Sequence, residues 1–418
     1  MILLSHPTGN QNVRQAAIAF REAELLTEFW TCLSWNAEGP ANRLLPARVR
    51  RQLSRRSFHP ALRPLIRTTP AREIGRLLTE ALGISAFSAH ETGPLSIDAV
   101  FSALDRKVAG RLSELTDCQA VYGYEDGALA TFRVAQERNI QRLYDLPIGY
   151  WRVAQRIYAE EREREPEWAG TLSGAHDSAE KLARKEEELK LATHVVVASS
   201  FTRETLRAAD FSAGVSVIPY GAPPVAAGEI VSASGNLRVL YVGSLGQRKG
   251  LSYLFQAIDL LGPKVELTLV GRKAAAGCRP LEEAVRRHHW MPTLPHGEVL
   301  AQMQRHDVLV LPSLFEGFGL VILEAMAQGL PVITTAHTAG PDLISEGGDG
   351  FIVPIRSAEA IAGKLDWLAG NPKILQEMKQ AARKKAAGRR WADYRDSLVQ
   401  MARDVIPNPV PISYAISP

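Results

Sequence analysis

The sequence predicts an α/β protein with two doubly wound parallel sheets, and three observations carry that prediction. Short apolar runs that end in glycine alternate with helical patterns from Leu237 to Thr335. The first half repeats the alternation around His194–Ser199, Cys118–Tyr122 and Arg142–Ile148. Between them lies a Pro/Gly/Ala-rich stretch, Gly221–Gly235, with the composition of an interdomain linker. A chain of 418 residues has room for two or three domains.

The second half reads strand by strand. Leu237–Gly243 is a buried strand followed by a turn, Ser244–Lys249, and then a helix marked by Leu251, Leu254, Phe255, Ile258 and Leu261. Val265–Gly271 is a second strand, Leu281–His289 and Glu298–Arg305 are helical, and Val308–Leu311 is a third strand. Gly319–Gln328 is a helix and Pro331–Thr335 a fourth strand. Parallel sheets bind ligands beyond the C-terminal ends of their strands, so the loops after Val242, Val270 and Leu311 should face one crevice. In the first half the strands flank helices Gly127–Arg138 and Glu180–Lys190. Trp391, Tyr394, Leu398, Met401 and Val405 mark a last helix, and four prolines follow Ile406.

Composition excludes several classes. The chain is 46% hydrophobic and 22% charged, as in a globular protein, with 49 Lys+Arg against 45 Asp+Glu. A net charge of +4 is too mild for a nucleic-acid binder. Cys32, Cys118 and Cys278 are far apart and form no CxxC, which suggests neither a zinc site nor a disulfide framework. No signal peptide or membrane-length apolar run is visible, so the expected setting is cytoplasmic, with any membrane met from its inner face.

The chemistry concentrates in Pro312–Gln328, PSLFEGFGLVILEAMAQ. Glu316 and Glu324 flank a Gly-Phe-Gly turn between a strand and a helix. The N–H groups from Gly317 through Phe318 and Gly319 to Leu320 would face outward at the positive helix end, an anion site suited to a diphosphate. Glu324, one turn in, can accept bonds from a sugar hydroxyl pair, while Glu316 sits nearer the reacting centre. The plainer alternative makes Glu316 a cap and Glu324 a solvated helix residue. A second loop, VGSLGQRKG at Val242–Gly250, ends in adjacent cations, Arg248 and Lys249, able to neutralise a leaving diphosphate. Alone they could be two solvated side chains.

Together, VGSLGQRKGLSYLFQAI, LVLPSLFEGFGLVILEAMAQGLPVIT and ISEGGDGFIVP resemble the retaining GT-B glycosyltransferases of family four. The likeness is specific over about Val195–Pro354. It implies two Rossmann-like domains facing a central cleft. The acceptor-binding domain would span 1–215 with a returning helix in 385–418, and the nucleotide-sugar domain 216–384. It implies that Glu324 binds the ribose, that Glu316 lies beside the donor sugar, and that Lys249, with Arg248, contacts the diphosphate. Gly243, Ser244, Arg272 and the Gly317–Leu320 turn would complete the donor site. His6 and Gly9, in HPTGNQNVRQAA, fall where the family's N-terminal glycine loop lies on the acceptor side, although His6 could equally be an ordinary strand-end histidine. Two positions depart from the family pattern: Ser244 replaces a frequent arginine, and Glu125 or Asp126 stands where many members have a cleft histidine.

The implied reaction is transfer of a hexose from a nucleotide sugar to a glycan or lipid-linked acceptor, with retention. No DxD motif or His/Asp ligand cluster is visible, so no metal or other cofactor is expected. An epimerase or phosphorylase on the same fold, or a non-catalytic nucleotide-sugar-binding protein, are the competing readings. Ala41–Arg72 carries nine arginines (Arg43, Arg48, Arg50, Arg51, Arg55, Arg56, Arg63, Arg67 and Arg72) and no acid. It reads as an acidic-acceptor site, an anionic-membrane contact, or a solvated face. Glu160–Glu167 (EEREREPE) reads as a solvated helix end, and Tyr144, Tyr150 and Trp151 as core.

Overall fold

The computed structural model describes residues 1–39, 42, 45–172, 177–228, 230 and 235–406, and the side chains of these except at 47, 48, 51, 52 and 85. Arg43, the side chains of Arg48 and Arg51, part of the linker stretch and the proline-rich tail therefore lie outside the described residues.

The first sheet has seven parallel strands: β1 (Ile2–Ser5), β2 (Leu26–Thr31), β3 (Ile66–Thr68), β4 (Ala120–Tyr124), β5 (Gln141–Leu146), β6 (His194–Val197) and β7 (Gly214–Val217), in the order β3-β2-β1-β4-β5-β6-β7. The second has six: β8 (Leu237–Val242), β9 (Val265–Val270), β10 (His289–Met291), β11 (Val308–Leu311), β12 (Val332–Thr335) and β13 (Gly350–Val353), ordered β10-β9-β8-β11-β12-β13. Each winds outward from its first strand and then reverses. The switch points fall between β1 and β4 and between β8 and β11, where a doubly wound sheet opens a crevice.

The central strands are apolar on both faces because helices cover both. Ile2, Leu3, Leu4, Val239, Leu240 and Leu309 are fully buried. The apolar runs predicted as strands at Leu237, Val265, Val308 and Pro331 are strands. Two boundaries move. Helix Arg279–Arg287 stops short of His289, which opens the three-residue edge strand β10. β7 continues to Val217, so the first sheet runs past residue 215.

The chain crosses between the sheets twice at one place. The outgoing Ala222 N–H donates to the Arg389 carbonyl (2.7 Å), and Ala222 bridges Arg390 on the returning chain. Helix Pro372–Ala387 packs against helix Leu320–Ala327 beside the second sheet. Helix Trp391–Val405 returns to pack on helix Gln11–Glu22, where Arg395 Nη1 donates to Gln15 Oε1 (2.7 Å).

Candidate active site

The three predicted loops of the second sheet converge. The Leu245 N–H donates to the Arg272 carbonyl (2.7 Å), joining the loops after β8 and β9. The Leu314 N–H donates to the Arg248 carbonyl (2.9 Å), joining those after β8 and β11. This brings Arg248, Lys249 and Glu316 together. Lys249 Nζ and Arg248 Nη1 both reach Glu316 Oε2, the latter at 3.3 Å, and Arg248 Nη1 also donates to the Phe315 carbonyl (3.0 Å). All three side chains keep only 12–19% exposure. Burial, then the neighbouring Arg248, pushes the Lys249 ammonium well below the usual lysine range. Two clustered cations in a poorly hydrated loop are a prepared site for an anion.

Helix Leu320–Ala327 starts at Gly319, whose left-handed backbone (φ 81°) turns the chain from loop to helix. No side chain caps this helix; the Ile322 N–H turns back to the Gly319 carbonyl (2.9 Å), which leaves the N–H groups of Leu320 and Val321 as its first-turn donors. Glu324 lies one turn in and is four-fifths covered. Burial lifts its carboxyl pKa while His296 Nδ1, 3.8 Å from Oε1, opposes the shift. His296 escaped the sequence reading because it belongs to a different helix, His296–Arg305, and nothing local marks it.

Several predicted donor residues also make contacts within the protein. Gly317 is an interdomain contact. Ser199 Oγ and Thr202 Oγ1 donate to its carbonyl, the latter at 2.9 Å, and a Cβ there would fall 1.8 Å from the Pro147 carbonyl oxygen. Phe318 is core, packed on Tyr220 with ring centroids 4.9 Å apart. Leu320 is half-buried against the same core. Gly243 donates its N–H to the Val270 carbonyl (2.9 Å), Ser244 is exposed with its carbonyl holding the Tyr241 hydroxyl (2.7 Å), and Arg272 is exposed with Nε on Thr293 Oγ1 (3.0 Å).

Most of the run Glu160–Glu167 is exposed at the end of its helix, as expected, but one of its acids is not. Glu161, on helix Trp151–Arg164, is fully buried and ties the first domain to the second. It accepts from Gln247 Nε2 (2.6 Å), Tyr253 OH (2.9 Å) and Arg356 Nε (2.8 Å). Gln247 immediately precedes the two cations and is itself fully buried, its N–H donating to Thr171 Oγ1 (2.9 Å). Arg356 holds a left-handed backbone (φ 62°) and also donates to Glu160 and to the Ile157 carbonyl.

On the first sheet, His6 and Gly9 sit in the loop after β1. His6 Nδ1 accepts from the N–H groups of Thr8 (3.1 Å) and Gly9 (3.0 Å), and its ring packs edge-on against Tyr124 at 4.9 Å. Burial brings the imidazole down to about 3, so it stays neutral. Glu125 and Asp126, after β4, belong to an ion network rather than standing free. Asp126 pairs with Arg184 (3.0 Å), and Lys185 lies 3.8 Å from Glu125 and 3.2 Å from Asp177. Burial lifts Glu125 to about 7 against the pull of Lys185. The structure also gathers His90, Glu91 and Asp177, a His/acid group that the sequence did not reveal. Asp177 is already paired with Lys181 and Lys185. Tyr144 and Tyr150 are core, as expected.

The fold is the GT-B architecture. The whole chain superposes on sucrose-phosphate synthase from Thermosynechococcus elongatus with a TM-score of 0.67 and 20% identity, covering 97% of this chain and 98% of that one. The Anabaena protein HepE, solved in complex with UDP-glucose, gives a TM-score of 0.61 at 15% identity over 96% and 99%. In sequence, residues 228–385 match the family model for glycosyl transferases group 1, which takes in Arg248, Lys249, Glu316 and Glu324. The amylovoran biosynthesis glycosyltransferase AmsK of Erwinia amylovora is 32% identical over 145 residues, 31% of this chain and 35% of AmsK. The glycogen synthase of Mycobacterium tuberculosis is 30% identical over 161 residues, 36% of this chain and 38% of the synthase. The matched segments thus span little more than a third of the length of these relatives, and match the family model only in the second domain.

Proposed function

We propose that this chain is a retaining glycosyltransferase of family four that moves a hexose from a nucleoside-diphosphate sugar to a glycan or lipid-linked acceptor hydroxyl. The observation that carries the reading is the Arg248–Lys249–Glu316 cluster beside an uncapped helix start, with Glu324 one turn in. Breaking a sugar–diphosphate bond leaves negative charge on the diphosphate and positive charge on the sugar. Arg248, Lys249 and the helix N–H groups stabilise the first, a task that needs no metal when such donors are already in place. Glu316, displaced from the cations by the diphosphate, supplies an anion beside the sugar. Glu324 holds the ribose hydroxyls. The acceptor lies against the first-domain loops around His6 and Gly9. HepE, of the same fold, was solved with UDP and with UDP-glucose, which supports a nucleotide-sugar donor here.

The test is release of nucleoside diphosphate from UDP-, GDP-, ADP- and TDP-hexoses in EDTA, with and without candidate acceptors, and the anomeric configuration of the product by NMR. EDTA-resistant release is expected from one donor. A second reading, nucleotide-sugar binding without turnover, is favoured by the paired state of Glu125 and Asp126 where a cleft histidine is frequent. Tight nucleotide binding with no release under any acceptor would establish it instead.

A further inference from the structure

Helix Pro70–Ala81 is mounted inside out. Its carboxylate Glu73 is buried, paired with Arg56 and Arg76, while Ile74, Leu78 and the C-capping Leu82 point outward at i, i+4 and i+8. The following turn and the start of helix Ile97–Glu114 continue the same surface. The exposures are 43% for Ile74, 57% for Leu78, 71% for Leu82, 42% for Ile84, 50% for Phe87 and 61% for Ile97. Half of the large apolar side chains exposed among the described residues fall in this short segment, whose two helices and intervening turn pack on one another. The segment is built as a unit. The Leu95 N–H donates to the Phe87 carbonyl (2.9 Å), the Ile84 N–H to the Thr79 carbonyl (2.9 Å), and Arg72 Nη1 to the Pro94 carbonyl (2.6 Å). Gly75 packs against Leu95.

Exposed cations lie on the same elements, together with the exposed Glu80, which pairs with Arg76. Arg67 and Arg72 are exposed just before Ile74, and Arg106 and Lys107 are exposed on the helix that begins at Ile97. Arg72 and Arg106 also line one polar cavity of about 730 Å³ with the cations Lys181 and Arg184 and the acids Glu91, Asp98 and Glu180. The arginine run in Ala41–Arg72 is less free than its sequence suggested. Arg56, Arg63 and Arg67 pair with Glu73, Glu38 and Glu28, acids that all lie outside the run.

We infer that the 70–97 face docks on an anionic lipid bilayer, inserting Ile74, Leu78, Leu82, Ile84, Phe87 and Ile97 while Arg72, Arg106 and Lys107 meet lipid phosphates. Exposed apolar side chains with exposed cations on the same elements are complementary to an anionic interface, where apolar burial and electrostatic attraction add. No helix among the described residues is long and apolar enough to cross a membrane, so this contact lies on the bilayer surface.

Cosedimentation of the full chain with vesicles tests this without any sugar donor, so its outcome is independent of the transfer reaction. Vesicles of phosphatidylcholine with about 30% phosphatidylglycerol should bind the chain roughly tenfold better than phosphatidylcholine alone, and added salt should weaken the binding. Leu78→Glu/Leu82→Glu, both at exposed positions, should lower it at least about tenfold with an unchanged thermal transition. In a second probe, Phe87→Trp should shift its emission to the blue on addition of the anionic vesicles. Absence of wild-type binding, binding unaffected by the leucine substitutions, or a Phe87→Trp emission that does not move would overturn the inference. So would a self-associating wild type that becomes monomeric in the leucine variant without ever binding vesicles, since a second copy would then cover the face.

Discussion

The two sides of the cleft are built on the same plan and finished in opposite ways. Both sheets wind out and back, and both present the loops of their switch point to the interdomain space. On the second sheet those loops leave cations held by a single carboxylate oxygen, next to a helix start with no side-chain cap. On the first sheet the corresponding charges are closed into a network: Glu125 and Asp126 are paired with Lys185 and Arg184, and helix Leu129–Glu137 has the buried Glu188 across its first N–H groups. One side gathers cations at an uncapped helix start, and the other has already satisfied its charges internally. A sheet topology thus places loops but does not decide what they do.

The sharpest way to break this comparison is to remove the carboxylate on the open side. Glu316→Gln should lower turnover by on the order of 10²–10³-fold while nucleotide affinity, by calorimetric titration, changes only a few-fold. If Glu125→Gln reduces turnover more than Glu316→Gln does, the contrast is reversed. Next in size is the interdomain carboxylate. Glu161→Ala leaves Gln247, Tyr253 and Arg356 without their shared acceptor and should destabilise the fold by about 3–5 kcal/mol in chemical denaturation. Donor KM should rise as well, because Gln247 anchors the cationic loop. A loss of stability with an unchanged donor KM would separate the latch from the site.

Lys249→Ala should raise donor KM and lower kcat, together about 10²-fold in kcat/KM, and unchanged kinetics would remove Lys249 from the diphosphate site. The smallest effect concerns the closed side. Burial lifts the Asp145 carboxyl to about 7, the Tyr122 hydroxyl donating at 2.8 Å and opposing the shift. Its folded pKa lies above its unfolded one, so it favours unfolding as pH rises from about 4 through 7 and fully above that. Asp145→Asn should flatten this slope, gaining on the order of 1–3 kcal/mol at pH 8 relative to pH 5. Parallel stability–pH curves for the two proteins would place the ionised carboxylate in a better solvated setting than its burial indicates.

Much of the open side was legible in the sequence because its signals are local. A strand, a glycine turn, an acid and a helix follow one another within Leu309–Glu324, and the fold keeps them in that order. The same locality hid the interdomain contacts of Gly317 and Phe318. Their sequence context is that of a ligand loop, but Pro147, Ser199 and Tyr220 arrive from far along the chain to occupy them. Glu161 failed for the same reason. In EEREREPE it looks like any solvated charge, and its partners Gln247, Tyr253 and Arg356 are all distant in sequence. The outward-facing helix Pro70–Ala81 offers no such local signal, since its amphipathic period does not say which face turns inward.

The latch at Glu161 bears on how the two halves can move. The chain joins the domains at one spot, where Ala222 meets Arg389 and Arg390, and Glu161 with Gln247 and Arg356 joins them at a second. Two fixed points leave a rigid body one rotation, about the line through both. A movement of the domains that kept both attachments would therefore be a swing on a two-pin door, with the Ser199–Gly317 and Ser200–Asp342 contacts as its catch.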